Sequence, residues 1–522
     1  MTSEPGRQFD ASDDGTETAE ARAVSPGEVP GGAVACSPYR SRRAVERAHA
    51  IPAYTVTTGR LPLKNRKGES AAHLFFTAYT SGDDNLPEEK WAGRPLLFAF
   101  SGGPGLASTL LHLGAIGPKR VEFTPEGQIP APPYRIVDNP HTLLGCADLV
   151  FIDPIGTGFS RTTQPEGGQE YWGIQQDIEA IGEFIRAYLS QYHRWFSPLY
   201  LLGTSYGAAR AAGLSDYLLG LGIGLSGIVL VSPGLDWLTG DPRRGHDLPH
   251  VLALPTYTAT AWYHRRLPPD LLDDLHAATR EAEAWASSAY VVALLKGDRL
   301  PVTERRQILR NLARYTGLDE DYLDRSDLRV KRDHFCKELL RRENRSISRL
   351  DSRSKTIDAD ALSEQADFDP LRLPTGPLLT AAINYYLRAV LGITVGAEYR
   401  LFNKEANDGW DWGGGGQGYP ERSEALRNAM TKNPNMKVFV ASGYFDLTTP
   451  YSDTVYTLAH MGLDAGLRVN IQTRMYETGH AIYLDESALP KFKADLAEFM
   501  ESAPQRAQTK NLDRKPVYNE DH

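Results

Sequence analysis

Cysteine is scarce: the 522 residues contain three, Cys36, Cys146 and Cys336. An odd, sparse set cannot make the framework of a disulfide-stapled secreted domain, and it points to a reducing compartment. Cys146 borders a strongly apolar run and reads as a buried thiol. Long apolar runs are missing as well. No uninterrupted stretch reaches the roughly 18–20 residues that span a bilayer, so no membrane partner is expected. The start, MTSEPGRQFDASDDG, has no basic stretch followed by an apolar one, so no secretory leader is expected and the chain reads as cytoplasmic. Positive charge is in deficit, with 57 Lys and Arg against 66 Asp and Glu, a formal charge of −9. Nucleic acid, which is held by a basic surface that displaces counterions, is therefore not an expected partner. Oligomeric state is not legible.

Hydrophobic residues make up 41% of the chain, enough for a sizeable core. Residues 1–45 and 503–522 are polar and poor in large apolar side chains, which predicts disorder at both ends. Between them, β-rich runs end in glycine or proline: AHLFFTAYT (72–80), PLLFAFSGG (95–103), DLVFIDPIGTG (148–158), PLYLLGTSYG (198–207), GIVLVSPGLD (227–236), VFVASGYFD (438–446) and VNIQTRMYETGH (469–480). Helical spacing over 171–192 and 206–221 separates some of them. Continuous apolar strands alternating with helices predict an α/β fold, a mostly parallel sheet covered on both faces. Residues 237–395 are mainly helical, as in LDDLHAATREAEAWASSAYVVALLKG and TERRQILRNLARYTGL. They are read as a helical cap inserted between core segments 46–236 and 396–502. Arg243, Arg244 and the basic residues of 329–346 read as solvated cap charges.

Gly203-Thr204-Ser205-Tyr206-Gly207 follows an apolar strand and opens a helix. Small residues on both sides let the crowded turn close and lift the Ser205 hydroxyl toward the positive end of the helix. The alternative is a serine that only caps the helix. A nucleophilic serine needs a base and an orienting acid. In the α/β-hydrolase fold these follow in the order Ser, Asp, His. Asp446 lies just past the strand VFVASG, and His480 sits in a Gly-His turn after VNIQTRMYETG; a turn-capping Asp446 and an ordinary loop His480 are the bland readings. An oxyanion hole calls for the Tyr206 amide and a second from a glycine loop. Ser101-Gly102-Gly103-Pro104-Gly105 offers Gly103, unless it is a plain tight turn. His246 and His250 are four apart, but Pro249 lies between them and no Glu accompanies them, so no metal site is expected. The Gly413–Gly416 run has no following lysine and reads as a flexible loop at the site rim. No cofactor is implied.

Together these motifs resemble the serine carboxypeptidase family, in its order, over about residues 50–500. SGGPG resembles its NGGPG loop, DLVFIDPIGTGFSR its VDQPVGTGFSY turn, GTSYG its GESYGG elbow, SGYFD its SGDxD turn, and TGHAIYLDESAL its GHMVPxDxPxxAL motif. LHLGAIGPKR, LPTYTATAWYH and WDWG are most similar to intracellular-looking bacterial members. The resemblance implies a capped α/β-hydrolase that releases C-terminal residues from peptides. Ser205, Asp446 and His480 match its triad, Gly103 and Tyr206 its oxyanion donors, and Ser101, Gly102 and Thr204 its substrate contacts. It departs where the family binds the substrate's terminal carboxylate: Ser101, Thr204 and Ala115 stand where an Asn and two Glu are found. Acyl-transfer chemistry survives these changes, while the preference for a free C-terminus and an acid pH optimum lose their basis.

Three functions follow. The first is hydrolysis of small or modified peptides or amides. The second is acyl transfer or cyclisation from the same acyl-enzyme, with an amine or alcohol excluding water. The third is a non-catalytic binding protein on a hydrolase scaffold. The expected partner is a small peptide or acyl substrate.

Overall fold

The computed structural model describes residues 39–43, 53–65, 67–81, 93–124, 129–164, 167–360, 362–413 and 419–502. β1 (Tyr39–Arg43), β2 (Tyr54–Lys64) and β3 (Ser70–Ser81) form an antiparallel meander. β4 (Leu96–Phe100), β5 (Asp148–Ile152), β6 (Leu199–Thr204), β7 (Gly227–Val231), β8 (Lys437–Gly443) and β9 (Ile471–Tyr476) follow. The order across the sheet is β1-β2-β3-β5-β4-β6-β7-β8-β9, with Arg161–Thr162 paired off β3. Strands β5 to β9 are mutually parallel in that path, and β3 meets β5 antiparallel. Every residue of β4 to β8 is buried, which is why these strands read as unbroken apolar runs.

The helices used below are, in chain order, α1 (Ile174–Gln191), α2 (Tyr206–Gly220), α3 (Leu248–Tyr263), α4 (Leu275–Trp285), α5 (Val302–Thr316), α6 (Arg332–Glu338), α7 (Arg372–Tyr385), α8 (Ser423–Lys432), α9 (Tyr451–His460) and α10 (Leu489–Glu501). Strand side chains alternate between two cores. Phe98, Leu201, Ile228 and Val438 face α1, α2 and α8, whereas Leu97, Leu202, Val229 and Phe439 face α7 and α10. On α1, Ile178, Ile181, Phe184 and Ile185 fill the first core, each worth roughly 1.5–3 kcal/mol of burial. Among the described residues, no helix is long and apolar enough to cross a membrane.

Helices α3 to α6 share a separate core, in which Tyr257 stacks on Phe335 with ring centres 4.1 Å apart and Leu447 is the contribution from the body. Two boundaries differ from the sequence reading. β1 lies inside the polar segment assigned to 1–45; it adds to the sheet edge through backbone pairing, Tyr39 opposite Thr58, which composition does not register. The rest of that segment, apart from 39–43, and the tail 503–522 lie outside the described residues. The cap, drawn to 395, gives way earlier: Leu378, Ile383, Leu387 and Leu391 pack in the core of Phe439, not in the cap. Helical content alone does not tell a cap helix from one laid on the sheet.

Candidate active site

The strand-to-helix turn after β6 holds Ser205 at φ 59°, a strained backbone for a residue with a Cβ. Ser205 N donates to Val231 O at 2.9 Å, anchoring the turn to the neighbouring strand. Both flanking glycines are sterically required. A Cβ on Gly203 would lie 1.9 Å from Gly207 O, and one on Gly207 would lie 2.8 Å from Phe100 O. Gly102 is pressed on the same turn, where a Cβ would meet Thr204 O at 2.6 Å and Tyr206 N at 2.8 Å. The glycine loop is tied to the elbow by Arg210, a fully buried arginine on α2. It donates to Ser101 O at 2.7 Å and to Asp177 on α1 at 2.6 Å, while the Tyr206 hydroxyl donates to the same Asp177 oxygen at 2.8 Å. Tyr206 opens α2, where the first amides have no intrahelical acceptor. Gly103 lines the same cavity as Ser205 and Tyr206.

Asp446 is fully buried. Its Oδ1 accepts from the amides of Thr448 (2.8 Å) and Thr449 (3.0 Å). Its Oδ2 lies 2.7 Å from the Thr449 hydroxyl and 2.7 Å from His480 Nδ1. A carboxylate at Nδ1 selects the tautomer protonated there and leaves Nε2 as the acceptor. Ser232, at φ 46°, joins the three loops: it directly follows Val231, its hydroxyl donates to His480 O at 2.7 Å, and its carbonyl lies 3.1 Å from the Thr449 hydroxyl.

The cap reaches between the acid and histidine loops through residues 349–353. Arg349 O accepts from Leu447 N (3.1 Å), Leu350 O from His480 N (2.6 Å), and Ser352 N donates to Phe445 O (3.0 Å). Asp351 Oδ2 accepts from Gly479 N at 3.3 Å, and Arg353 donates to Glu477 O at 3.0 Å. None of this was legible in the sequence, since the contacts are mostly backbone and more than 90 residues apart.

Ser205 opens onto a cavity of about 430 Å³ lined also by Trp237, Arg332, Arg349, Trp412 and Thr449. Trp412 of the WDWG segment packs on Tyr206 (5.7 Å) and Trp237 (4.8 Å); Gly413 is described, while 414–418 lie outside the described residues. The three substrate-contact positions inferred from the resemblance do not line this cavity. The Ser101 hydroxyl is sealed without a partner, Gly102 backs the elbow, and the Thr204 hydroxyl bonds Tyr483. Ala115 is buried in the body core, its carbonyl held by Asn139 Nδ2 at 2.7 Å. Two cap cations expected in solvent are buried instead: Arg332, which pairs with Asp453 at 3.1 Å, and Lys337, which pairs with Asp358. Arg332 was hidden because its partners lie 92 to 121 residues away. His246 and His250 stay apart, each on a backbone carbonyl, Leu238 O (2.6 Å) and Val330 O (3.2 Å). Of the cysteines, Cys336 is buried and Cys146 only half-buried, and both are free.

The serine carboxypeptidase family model matches residues 56–219, from β2 through α2. That span holds the glycine loop and the elbow but not Asp446 or His480. Among solved structures, Kex1(delta)p, a prohormone-processing carboxypeptidase from Saccharomyces cerevisiae, is similar with 15% identity and a TM-score of 0.53, covering 86% of this chain and 91% of that one. A proline iminopeptidase from Mycobacterium smegmatis aligns with 13% identity and a TM-score of 0.37, covering 85% and 97%. The comparison with curated proteins gave no match. Residues 56–219 match the serine carboxypeptidase model, the stretch that contains the Ser205 elbow, and the chain has an α/β-hydrolase fold.

Proposed function

We propose that this chain hydrolyses peptide or amide bonds of small substrates through an acyl-enzyme on Ser205. The observation that carries the reading is the 2.7 Å contact of His480 Nδ1 with the buried Asp446, joined through Ser232 to the Ser205 turn. Ser205 Oγ attacks the carbonyl as His480 Nε2 takes its proton. The same proton then goes to the leaving amine, and water repeats the sequence to release the acid. Asp446 holds the ring and stabilises its charged form. The amides of Gly103 and Tyr206 receive the oxyanion. A cytoplasmic setting is part of this reading, supported by the sparse cysteines, of which the two described, Cys146 and Cys336, are free.

A second reading, acyl transfer to an amine or alcohol, is favoured by one observation. Ser101, Thr204 and Ala115 are all turned away from the cavity, so a donor without a terminal carboxylate loses nothing there. Incubating the protein with a peptide library, with and without added amines, and reading products by mass spectrometry tests both. Hydrolysis gives free acids regardless of the amine; transfer gives amine adducts as the main product. No Ser205-dependent product of either kind contradicts the proposal.

A further inference from the structure

The cavity that exposes Ser205 has a second polar wall, the first turn of α9. Asp453 and Thr454 both line it, at 6% and 4% exposure. Asp453 Oδ2 accepts from Arg332 Nη2 at 3.1 Å, but Asp453 Oδ1 and Thr454 Oγ1 have no hydrogen-bond partner. Buried polar atoms are rarely left so, because each forfeits its solvation without replacement. Arg332 also holds Thr448 O (2.8 Å) and Gly240 O (3.0 Å), and Arg349 pairs with Asp333 at 3.0 Å while its Nε has no partner. Both arginines act on the Asp453 carboxyl, and the nearby Asp446 opposes them. Burial holds the Asp453 carboxyl up at about 7, as expected of a carboxylate short of donors.

At Asp453 Oδ1 and Thr454 Oγ1 themselves, two acceptor oxygens side by side on α9, the open capacity is for a donor. We infer that Asp453 Oδ1 and Thr454 Oγ1 form a subsite for a primary ammonium on the acyl donor, so that the preferred substrates carry a free amino group. A primary ammonium has three N–H donors, enough to serve both oxygens, and its charge is opposite to that of the Asp453 carboxylate. This rests on the reading of Ser205 as nucleophile only in assigning the ammonium to the acyl donor; the binding itself does not require it.

The test is calorimetric, on Ser205→Ala protein, with a panel of dipeptide amides each offered with a free and an acetylated amino terminus. The C-terminal amide removes any contribution from a carboxylate. The free-amine forms bind at least about tenfold more tightly, the size expected of a charged hydrogen bond. Asp453→Asn in the same background brings the ratio to about two or less, and Thr454→Val, which leaves the Arg332 pair intact, lowers it without changing thermal stability much. Equal binding of both forms overturns the inference, as does a ratio that persists in Asp453→Asn. If that variant does not fold, an unchanged ratio in Thr454→Val overturns it. Fluorophosphonate labelling of the unsubstituted chain is read alongside. Labelling of Ser205 without amine preference sinks the subsite and spares the proposed function; amine preference without labelling does the reverse.

Discussion

Replacing Asp446 with asparagine separates the roles of shape and charge in the site. The carboxylate takes two backbone amides on Oδ1, from Thr448 and Thr449, and faces the Thr449 hydroxyl and His480 Nδ1 with Oδ2. Asparagine has one acceptor oxygen. Kept at the Oδ1 position, it preserves both backbone bonds and turns its NH₂ on His480 Nδ1. Flipped, it sets the NH₂ against two buried amides. The first arrangement loses less, so the fold survives, at a cost of about 1–3 kcal/mol. His480 must then move its proton to Nε2, the atom that has to accept from Ser205. The rate of fluorophosphonate labelling at neutral pH falls about 10³–10⁴-fold, while urea melts show a folded protein. Labelling within about threefold of wild type, in a folded variant, would refute the tautomer argument.

Three further outcomes follow from the geometry. In Gly479→Ala the new Cβ would sit 2.4 Å from both Asp351 Cβ and Leu350 O, so the histidine loop must leave the cap segment. kcat drops on the order of 100-fold with KM little changed, and a normal kcat would show that the cap does not position His480. Arg210→Met strands Asp177 and releases Ser101 O; breaking this buried pair costs about 3–5 kcal/mol in chemical denaturation, and a loss below about 1 kcal/mol would contradict it. His112 is fully buried against the Tyr79 hydroxyl and Phe151, and burial pulls its pKa down to about 3. A base depressed in the folded state contributes fully above its unfolded pKa near 6.5 and loses that contribution as pH falls toward about 3. Stability therefore declines through that window by up to roughly 4–5 kcal/mol, and His112→Phe flattens the decline; parallel acid limbs for the two proteins would rule the histidine out as its source.

Strands β4 to β8 were readable because burial on both faces makes each an apolar run, and the helix after β5 because α1 keeps one apolar face. β2 was not, since Gly59 and Pro62 interrupt it although it pairs with β3 along its length. The elbow's turn was legible from its two glycines, and the contact of Asp446 with His480 joins two loops that the sequence had placed at strand ends. Arg210, Arg332 and the 349–353 segment were not. An arginine in an apolar helix or on a basic cap carries no local mark of its partner, and backbone hydrogen bonds leave no trace in side-chain identity. The resemblance pointed to Ser101, Gly102 and Thr204 for substrate, but their side-chain space is taken up by the elbow and Tyr483. The cavity is built instead from cap and α9 residues that only the fold brings together.

The central claim is that Ser205 is an activated nucleophile. Incubation with a fluorophosphonate, followed by intact mass, tests it directly. The account predicts a single adduct that is absent in Ser205→Ala. No adduct at any pH from about 5 to 9, a window spanning histidine titration, or an adduct that persists in Ser205→Ala, would contradict it.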